Sequence, residues 1–299
     1  MKNNHIFITF IFLIISVFLT SCQKEVNIDL PEPELRLVVE GWIEQDQYPV
    51  VAVTRNSPYF ARVDSSTLMN LFVVNAQVWV SDGVQSEKLE LSFDNIGKGV
   101  WPFVCYKGSV IKGEVGKSYD LLIYAEGDTI TGTTTIPEPV FLDSIWWEPD
   151  NLNNPENDSL GYIWGTYDDD PILKQYFRIF TFRRTRDKDW VPLFGSVWDD
   201  MFFNGVQFTF SMYRGIPSIS DVEAIYDDEE LFYFRKGDTV DVKISSIDRE
   251  HYEFWRTIEQ EYYMGGNPFV YPVVIRHNVK GAVGVWGGYG STVYTLVIE

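Results

Sequence analysis

Short runs of alternating apolar and polar residues, separated by turn-forming residues, recur from Leu35 to about Ile136. Successive side chains of a strand point to opposite faces of a sheet, so this two-residue period predicts strands. The runs that we predict as strands are Leu35–Ile43, Val50–Thr54, Ala76–Val80, Lys88–Ser92, Tyr119–Ala125 and Asp128–Thr135. Short strands at this spacing are typical of an antiparallel sandwich, so this part of the chain is expected to be all β.

Tyr119 and a proline-rich stretch suggest how the chain divides. Tyr119 opens the penultimate strand, the position of a tyrosine corner, so residues 35–140 are expected to form an immunoglobulin-like β-sandwich. Pro137 and Pro139 end its last strand, because proline cannot donate to a central ladder. Residues 141–299 are expected to form a second β-rich domain. Its predicted strands are Tyr162–Tyr167, Tyr176–Arg184, Val206–Tyr213, Leu231–Phe234, Thr239–Ile247, Val283–Trp286 and Thr292–Ile298.

A helical period interrupts the second half near residues 248–264. Its apolar residues, Tyr252, Trp255, Ile258 and Tyr262, recur at spacings of 3, 3 and 4, which makes an amphipathic stripe that we interpret as core packing. Ser245 or Ser246 is expected to cap the first turn. The stretch Gly265-Gly266-Asn267-Pro268 is expected to end the helix.

The N-terminus resembles a lipoprotein signal peptide. Its apolar run, Ile6–Leu19, is shorter than the about 20 residues of a spanning helix and has the length of a secretory h-region. The Leu19-Thr20-Ser21-Cys22 that follows resembles a bacterial lipobox; an ordinary signal peptide with an incidental cysteine is the alternative. The resemblance implies that residues 1–21 are removed and that Cys22 is acylated, for example with palmitate. Residues 22–34 would then be a lipidated tether to the bilayer.

Charge and the residues after Cys22 bear on location. The chain has 24 Lys and Arg against 43 Asp and Glu, a net charge of −19, which argues against nucleic-acid binding because phosphate contacts need clustered basic residues. Gln23 is not the aspartate that retains some lipoproteins in the inner membrane, so the outer membrane is favoured. Lys24-Glu25 leaves both the periplasmic and the cell-surface face open.

A search of the sequence for catalytic patterns predicts no catalytic residues, no enzyme activity and no cofactor. The mature chain has two histidines, His251 and His277, too few for a three-ligand zinc hydrolase, and it lacks a Gly-x-Ser-x-Gly elbow. Cys105 is interpreted as a buried apolar residue. The acidic runs Asp168–Asp170 and Asp227–Glu230 could bind Ca²⁺ or form solvated loops, so metal binding stays open.

The second half is rich in aromatic residues that could bind a ligand. Its tryptophans are Trp146, Trp147, Trp164, Trp190, Trp198, Trp255 and Trp286. A flat indole can stack on a sugar ring or anchor a protein interface, and core packing is the alternative. Core packing is our interpretation of Trp255 and Trp286. The candidate ligand- or partner-binding residues, which flank predicted loops, are Trp190, Trp198, Tyr213 and Arg214. Residues 287–290, which are rich in glycine, are interpreted as close strand packing.

Several short motifs occur in an order that resembles one protein family. They are Leu37–Gly41, Asn75–Val78, Tyr167–Pro171, Phe203–Gly205, Lys236–Val240, Tyr252–Trp255, Gly266–Phe269 and Gly281–Tyr289. Together they are similar to an uncharacterised family of Bacteroidota outer-membrane lipoproteins, a domain of unknown function often encoded beside TonB-dependent transporters. The resemblance covers nearly the whole mature chain. It implies a TonB-dependent outer-membrane β-barrel as partner and supplies no catalytic residues.

These observations lead to two expectations for function. The first is a non-enzymatic outer-membrane lipoprotein that docks on a TonB-dependent transporter or captures its cargo, a glycan or a peptide. The second is a surface lipoprotein that binds or degrades glycans. A glycan array with a reducing-sugar assay would separate binding from turnover.

Overall fold

The computed structural model describes residues 34–57, 70–93, 104–151, 157–201, 205–215, 231–264, 271 and 273–299. Residues 35–299 form one compact unit. The described part is mainly β with one helix of defined bounds, which confirms the predicted fold class. The predicted signal peptide, the lipidation site Cys22 and the acidic run 227–230 lie outside the described residues, as does the predicted helix stop at 265–268.

The largest sheet has eight strands and crosses the predicted domain boundary. In sheet order they are β12 (Val191–Asp199), β11 (Tyr176–Arg183), β15 (Thr239–Ser246), β17 (Val283–Val297), β1 (Leu37–Glu44), β2 (Val50–Arg55), β6 (Cys105–Lys107) and β5 (Glu90–Ser92). The long strand β17 joins the two halves, because it pairs in parallel with β1 and antiparallel with β15. The two segments predicted at Val283–Trp286 and Thr292–Ile298 are therefore one strand.

Two smaller sheets complete the β structure. The five-stranded sheet has the order β16 (Val279–Lys280), β8 (Asp128–Thr135), β7 (Ser118–Ala125), β3 (Gln77–Ser81) and β4 (Ser86–Lys88). The four-stranded sheet contains β13 (Gln207–Met212), β10 (Leu160–Asp168), β14 (Phe234–Arg235) and β9 (Ser144–Pro149). The run predicted at Lys88–Ser92 is two short strands in different sheets, since the chain crosses between the sheets at the buried residue Leu89.

Two hydrophobic cores lie against the eight-stranded sheet. The first, toward the five-stranded sheet, includes Val39, Ile43, Val78, Leu121, Ile123 and Trp286. The second, toward the four-stranded sheet, includes Ile163, Ile179, Phe210, Met212, Val242 and Ile298. Strand β17 supplies side chains to both cores, through Trp286 and Leu296. The division into domains 35–140 and 141–299 stays a prediction, and the sheet that runs across it is continuous.

Tyr119 makes the contact expected of a tyrosine corner. Its ring is fully buried in the first core. Its hydroxyl accepts a hydrogen bond from the Glu114 amide at 2.7 Å and donates one to the Lys112 carbonyl at 3.2 Å. The side chain therefore fixes the turn that leads into β7, as the corner does in immunoglobulin-like sandwiches.

The helix α1 spans Arg249–Met264, close to the predicted bounds, but its cap differs from the prediction. Asp248 caps it, because its Oδ1 accepts the amide hydrogen of His251 at 2.8 Å. The predicted caps Ser245 and Ser246 are wrong, since both still belong to β15, where the Ser245 hydroxyl lies 2.8 Å from that of Ser291.

The buried face of α1 is also rotated relative to the predicted stripe. The residues that it buries are His251, Tyr252, Phe254 and Thr257, whereas Tyr262 is 66% exposed. The glycines of β17 explain the rotation. A Cβ atom at Gly287 would lie 2.1 Å from Cε1 of His251, so the absence of a side chain at Gly287 lets His251 reach the sheet. This confirms close packing around the glycine-rich segment 287–290.

Cys105 and Trp286 are buried, and Trp255 is partly exposed. Cys105 is a free, buried thiol in β6, as expected for a small apolar residue. Trp286 is fully buried, which confirms its interpretation as a core residue. Trp255 is half-buried, with its ring centroid 3.4 Å from the Arg178 guanidinium carbon.

Within the described ranges, the structure contains no helix long and apolar enough to cross a membrane.

Candidate functional site

The outer side of the four-stranded sheet carries a regular array of aromatic and polar side chains. Strand β10 pairs antiparallel with β9 on one side and with β13 on the other. Pairing places Trp146, Trp164 and Ser211 side by side, and alternation puts the residues two positions away on the same face. The first two rows are Ser144, Thr166, Thr209 and Trp146, Trp164, Ser211; the third is Glu148, Tyr162 and, directly after the end of β13, Tyr213, whose ring contacts that of Tyr162. We call these nine residues the aromatic face.

The aromatic face points away from the protein interior. The alternating residues of the same strands, such as Ile163, Phe210 and Met212, are buried in the second core. The two outer columns of the face are open to solvent, since Ser144, Glu148, Thr209 and Tyr213 are exposed. Trp164 and Tyr162 in the central column are half-buried by their neighbours. The sheet therefore presents aromatic rings to solvent on the side that the core does not use.

Ring contacts hold the aromatic side chains of this face in place. The Trp146 and Trp164 ring centroids lie 6.5 Å apart and the ring planes differ by 16°. The indole Nε1 of Trp146 donates a hydrogen bond to Glu148 at 2.8 Å. The Tyr162 ring packs 4.7 Å from that of Tyr213. Cross-strand aromatic pairs stabilise a sheet and fix the direction of its side chains, so the surface is ordered before any ligand arrives.

A buried carboxylate lies at one end of the aromatic face. The hydroxyls of Tyr162 and Tyr233 donate hydrogen bonds to Oδ2 of Asp150 at 3.1 and 3.0 Å. Burial, followed by the neighbouring Tyr233 and Asp150, raises the pKa of Tyr162 above its ordinary value. The phenol therefore stays protonated at neutral pH and remains a donor. Glu148 is the acidic residue of the face itself, and none of its nine residues is Lys or Arg.

The four residues predicted to bind a ligand or partner are not brought together. Tyr213 lies on the aromatic face and is 42% exposed, whereas the adjacent Arg214 is 5% exposed. Trp198 packs against the second core. Trp190 directly precedes β12, and the Lys243 ammonium group is 4.9 Å from its ring centroid. A role in binding stays a prediction for all four.

Trp198 also lines an apolar cleft on the inner side of the four-stranded sheet. The cleft is narrow, with a cavity volume of about 20 Å³. Its walls are formed by Val140, Leu142, Tyr167, Phe177, Ile179, Trp198, Phe208, Phe210 and Ile244. Because these walls are aromatic and aliphatic, the cleft can receive only a small apolar group.

A polar cluster joins α1 to the eight-stranded sheet. The buried Arg178 donates to the Tyr289 hydroxyl at 2.9 Å and its guanidinium group stacks on Trp255. Glu259 of α1 accepts a hydrogen bond from the Ser196 amide at 3.0 Å. His251 packs against the Tyr289 ring, with the ring centroids 4.7 Å apart. These groups are enclosed between helix and sheet, so we assign them to the attachment of α1.

The pKa of His251 makes this attachment sensitive to acid. Burial, and then the charge of Arg178, lowers the pKa of His251 to about 3 from 6.5. The unfolded chain takes up this proton near pH 6.5, while the folded protein does so only near pH 3. The contribution of the neutral His251 to the free energy of unfolding is therefore expected to be complete above pH 6.5. It should decrease as the pH falls from 6.5 toward 3, by up to about 1.4 kcal/mol per pH unit. Urea unfolding of the wild type and of His251→Asn at pH 4–7 would measure this, since the variant should show a smaller slope; equal slopes would contradict it.

The acidic triplet Asp168–Asp170 forms part of a folded turn. Asp169 accepts the Gly205 amide hydrogen at 2.9 Å, and Asp170 accepts that of Ile172 at 2.9 Å. Burial raises the pKa of Asp169 above its ordinary value, with Asp200 adding to the shift. In the described part of the chain, no group of three or more His, Cys, Asp or Glu residues could hold a metal ion.

Fold and surface together define a mainly β protein with an ordered aromatic patch on an outer sheet face. The chain belongs to the family described as "Domain of unknown function (DUF4249)", whose model matches residues 23–295. This confirms that the resemblance inferred from short motifs leads to a domain of unknown function. A search of curated proteins returned no match.

Sequence reasoning missed most of the aromatic face because it did not predict β9. In Ser144-Ile145-Trp146-Trp147-Glu148, consecutive tryptophans hide the alternation. One of them, Trp147, packs toward the second core, while Trp146 points outward. The pattern Tyr162-x-Trp164-x-Thr166 was a usable signal, because residues two apart share one face of a strand, and this face carries large aromatic residues although the opposite face, with Ile163 and Tyr167, supplies the core.

Proposed function

We propose that this protein is a non-enzymatic, lipid-anchored accessory protein of the bacterial outer membrane. It docks on a TonB-dependent transporter or captures cargo for it, on either the periplasmic or the cell-surface side. The observation that carries this proposal is the aromatic face. An outer sheet face that needs only solubility would be polar, whereas aromatic residues are enriched where proteins bind partners or ligands.

Anchoring through Cys22 supports the same proposal. The lipobox-like sequence before Cys22 would leave two or three acyl chains on the mature N-terminus, which hold a protein durably on a bilayer. The polar residues 23–34, with two prolines, would then form an extended tether between the lipid and the β structure. A protein held at the membrane in this way meets membrane-embedded partners at high local concentration.

The second candidate is a surface lipoprotein that binds or degrades glycans. The row of Trp146 and Trp164 beside the carboxyl groups of Glu148 and Asp150 favours it, because glycosidases act through two carboxyl groups. A reducing-sugar assay separates the alternatives. If the protein releases reducing ends and the release is lost in Glu148→Gln or Asp150→Asn, the protein is an enzyme and the accessory function is wrong.

Labelling and co-purification test the accessory function. The full-length protein is expected to incorporate radiolabelled palmitate, and Cys22→Ser is expected to lose the label. After mild cross-linking and detergent extraction, the wild type should co-purify with a TonB-dependent β-barrel in stoichiometric amounts. Cys105→Ser is the matched control and should keep both properties. Purification without a β-barrel, or a label that survives Cys22→Ser, would overturn the proposal.

A further inference from the structure

We propose that the aromatic face binds a neutral carbohydrate, with a sugar ring lying over Trp146 and Trp164. This deepens the proposed function, and rests on it only in taking this face as the cargo-binding surface. The three rows of the face give the binding mode. The middle row supplies aromatic rings, and the rows on either side supply hydroxyl and carboxyl groups.

The size of the face fits a short saccharide. Neighbouring strands lie about 4.8 Å apart, and side chains on one face repeat every ~6.7 Å along a strand. Three strands and three rows therefore span roughly 10 by 13 Å, the footprint of about two sugar rings. The pairing of β9 with β10 places the Trp146 and Trp164 rings next to each other, with their centroids 6.5 Å apart and their planes nearly parallel.

The chemistry of the face matches the two sides of a pyranose. Carbon-bound hydrogens make one side of the sugar ring apolar, and that side can lie on an indole. The hydroxyl groups around the ring need both donors and acceptors. The exposed Ser144 and Thr209 supply hydroxyls that can do both, and the Thr209 oxygen lies 3.2 Å from that of the buried Thr166. At the opposite end, Glu148 supplies an acceptor.

The polar rows also argue against a purely apolar partner. Covering the exposed side chains Ser144, Thr209 and Glu148 with an apolar surface would leave their polar atoms without partners. Each such buried, unpaired group weakens binding substantially. A sugar pairs these groups and covers the aromatic middle at the same time.

The negative charge of the aromatic face and of the whole chain favours a neutral sugar as the ligand. The nine residues include Glu148 and no Lys or Arg, Asp150 lies at the same end, and the whole chain carries a net charge of −19. Carboxylated, sulfated or phosphorylated sugars would be repelled by these groups. Neutral hexose polymers meet no such penalty.

A glycan array followed by calorimetry tests the inference on the detergent-solubilised full-length protein. Fluorescently labelled protein is applied to neutral and acidic oligosaccharides, and the best neutral hexasaccharide is titrated beside hexagalacturonate. We expect saturable binding of a neutral oligosaccharide and weaker binding of hexagalacturonate. Trp146→Ala and Trp164→Ala should each raise the dissociation constant by about tenfold, as expected for the loss of one stacking ring.

Matched variants show whether a loss is specific. Tyr124→Ala removes an exposed aromatic ring from β7 of the five-stranded sheet, outside the aromatic face, and should leave binding unchanged. Trp164→Phe keeps an aromatic ring and should recover part of the affinity. Thermal melting shows whether each variant is folded. Trp146 and Trp164 lie on different strands, so Trp146→Ala still tests the inference if Trp164→Ala does not fold.

The outcomes separate this inference from the accessory function. No binding to any neutral glycan, unchanged binding in the Trp146→Ala and Trp164→Ala double variant, or preference for hexagalacturonate would overturn it. If a β-barrel co-purifies and no sugar binds, the accessory function stands and the carbohydrate inference fails. If a neutral sugar binds without a β-barrel partner, the reverse holds.

Discussion

Trp286→Ala is expected to lower the free energy of unfolding by about 3–5 kcal/mol, the usual cost of removing a large buried aromatic side chain. Trp286 is fully buried in the first core. Its ring packs against the positions of Gly41 and Gly132, where an added Cβ would lie 2.9 and 3.3 Å from its atoms. The indole thus fills the space between β17 and the five-stranded sheet, and alanine would leave a cavity there.

The indole nitrogen adds a polar component that a second variant isolates. Nε1 donates to the Tyr119 carbonyl at 2.9 Å. Trp286→Phe keeps much of the packing and leaves that carbonyl without this partner, so an intermediate loss of about 1–3 kcal/mol is expected. Urea unfolding followed by circular dichroism measures both variants, with Val84→Ala, at a side chain that is 94% exposed, as the surface control. A loss below 1 kcal/mol for Trp286→Ala would contradict the assigned role.

Gly287→Ala is expected to cost about 3 kcal/mol, because the new methyl group would overlap the His251 ring. The Cβ atom would lie 2.1 Å from Cε1 and 2.2 Å from Nδ1 of His251, and contacts that short force atoms to move. His251 sits in the first turn of α1, so the helix must shift from β17 or the imidazole must leave its buried position.

A double variant tests whether this overlap is the cause. His251→Ala removes the ring, so Gly287→Ala should cost much less in that background than in the wild type. The coupling energy from the four proteins is expected to be about 1–3 kcal/mol. Val293→Ala on the same strand, where the side chain is 51% exposed, is the control and should change stability by less than about 1 kcal/mol. Additive losses would show that the overlap with His251 is not the source.

Some strands were predictable because their local pattern is unambiguous. The segments Val50–Thr54, Tyr119–Ala125 and Asp128–Thr135 each match an observed strand to within a residue. In β7 the inward-facing residues are Tyr119, Leu121, Ile123 and Ala125, so alternation identifies the buried face, whereas in β8 the β-branched Thr and Ile residues indicate a strand and Ile130 marks its buried side. Tyr119 was predictable as a corner residue because its partners are only a few positions away in the chain.

Other strands were missed or divided because they contain proline or glycine, which interrupt the alternating pattern. Strand β12 contains Pro192 and Gly195, which weaken a strand prediction. The structure tolerates them because β12 ends the eight-stranded sheet and its pairing with β11 shifts register between Arg178 and Phe180. Residues 287–290 look like a break between two strands, yet they continue β17, since glycine is required where α1 and β8 approach.

The sequence by itself determined the mainly β class and the approximate position of α1, because each depends on residues that are near neighbours in the chain, and it determined the family through the order of short motifs along the chain. Only the tertiary structure decided which aromatic residues share a surface. Trp146 on β9, Trp164 on β10 and Tyr213 directly after β13 are up to 67 positions apart in the chain, and they meet through the register in which β9 and β13 pair with β10. That register is fixed by the side chains that the second core buries. Which side chains these are depends on contacts between residues far apart in the chain, so no local sequence pattern determines it.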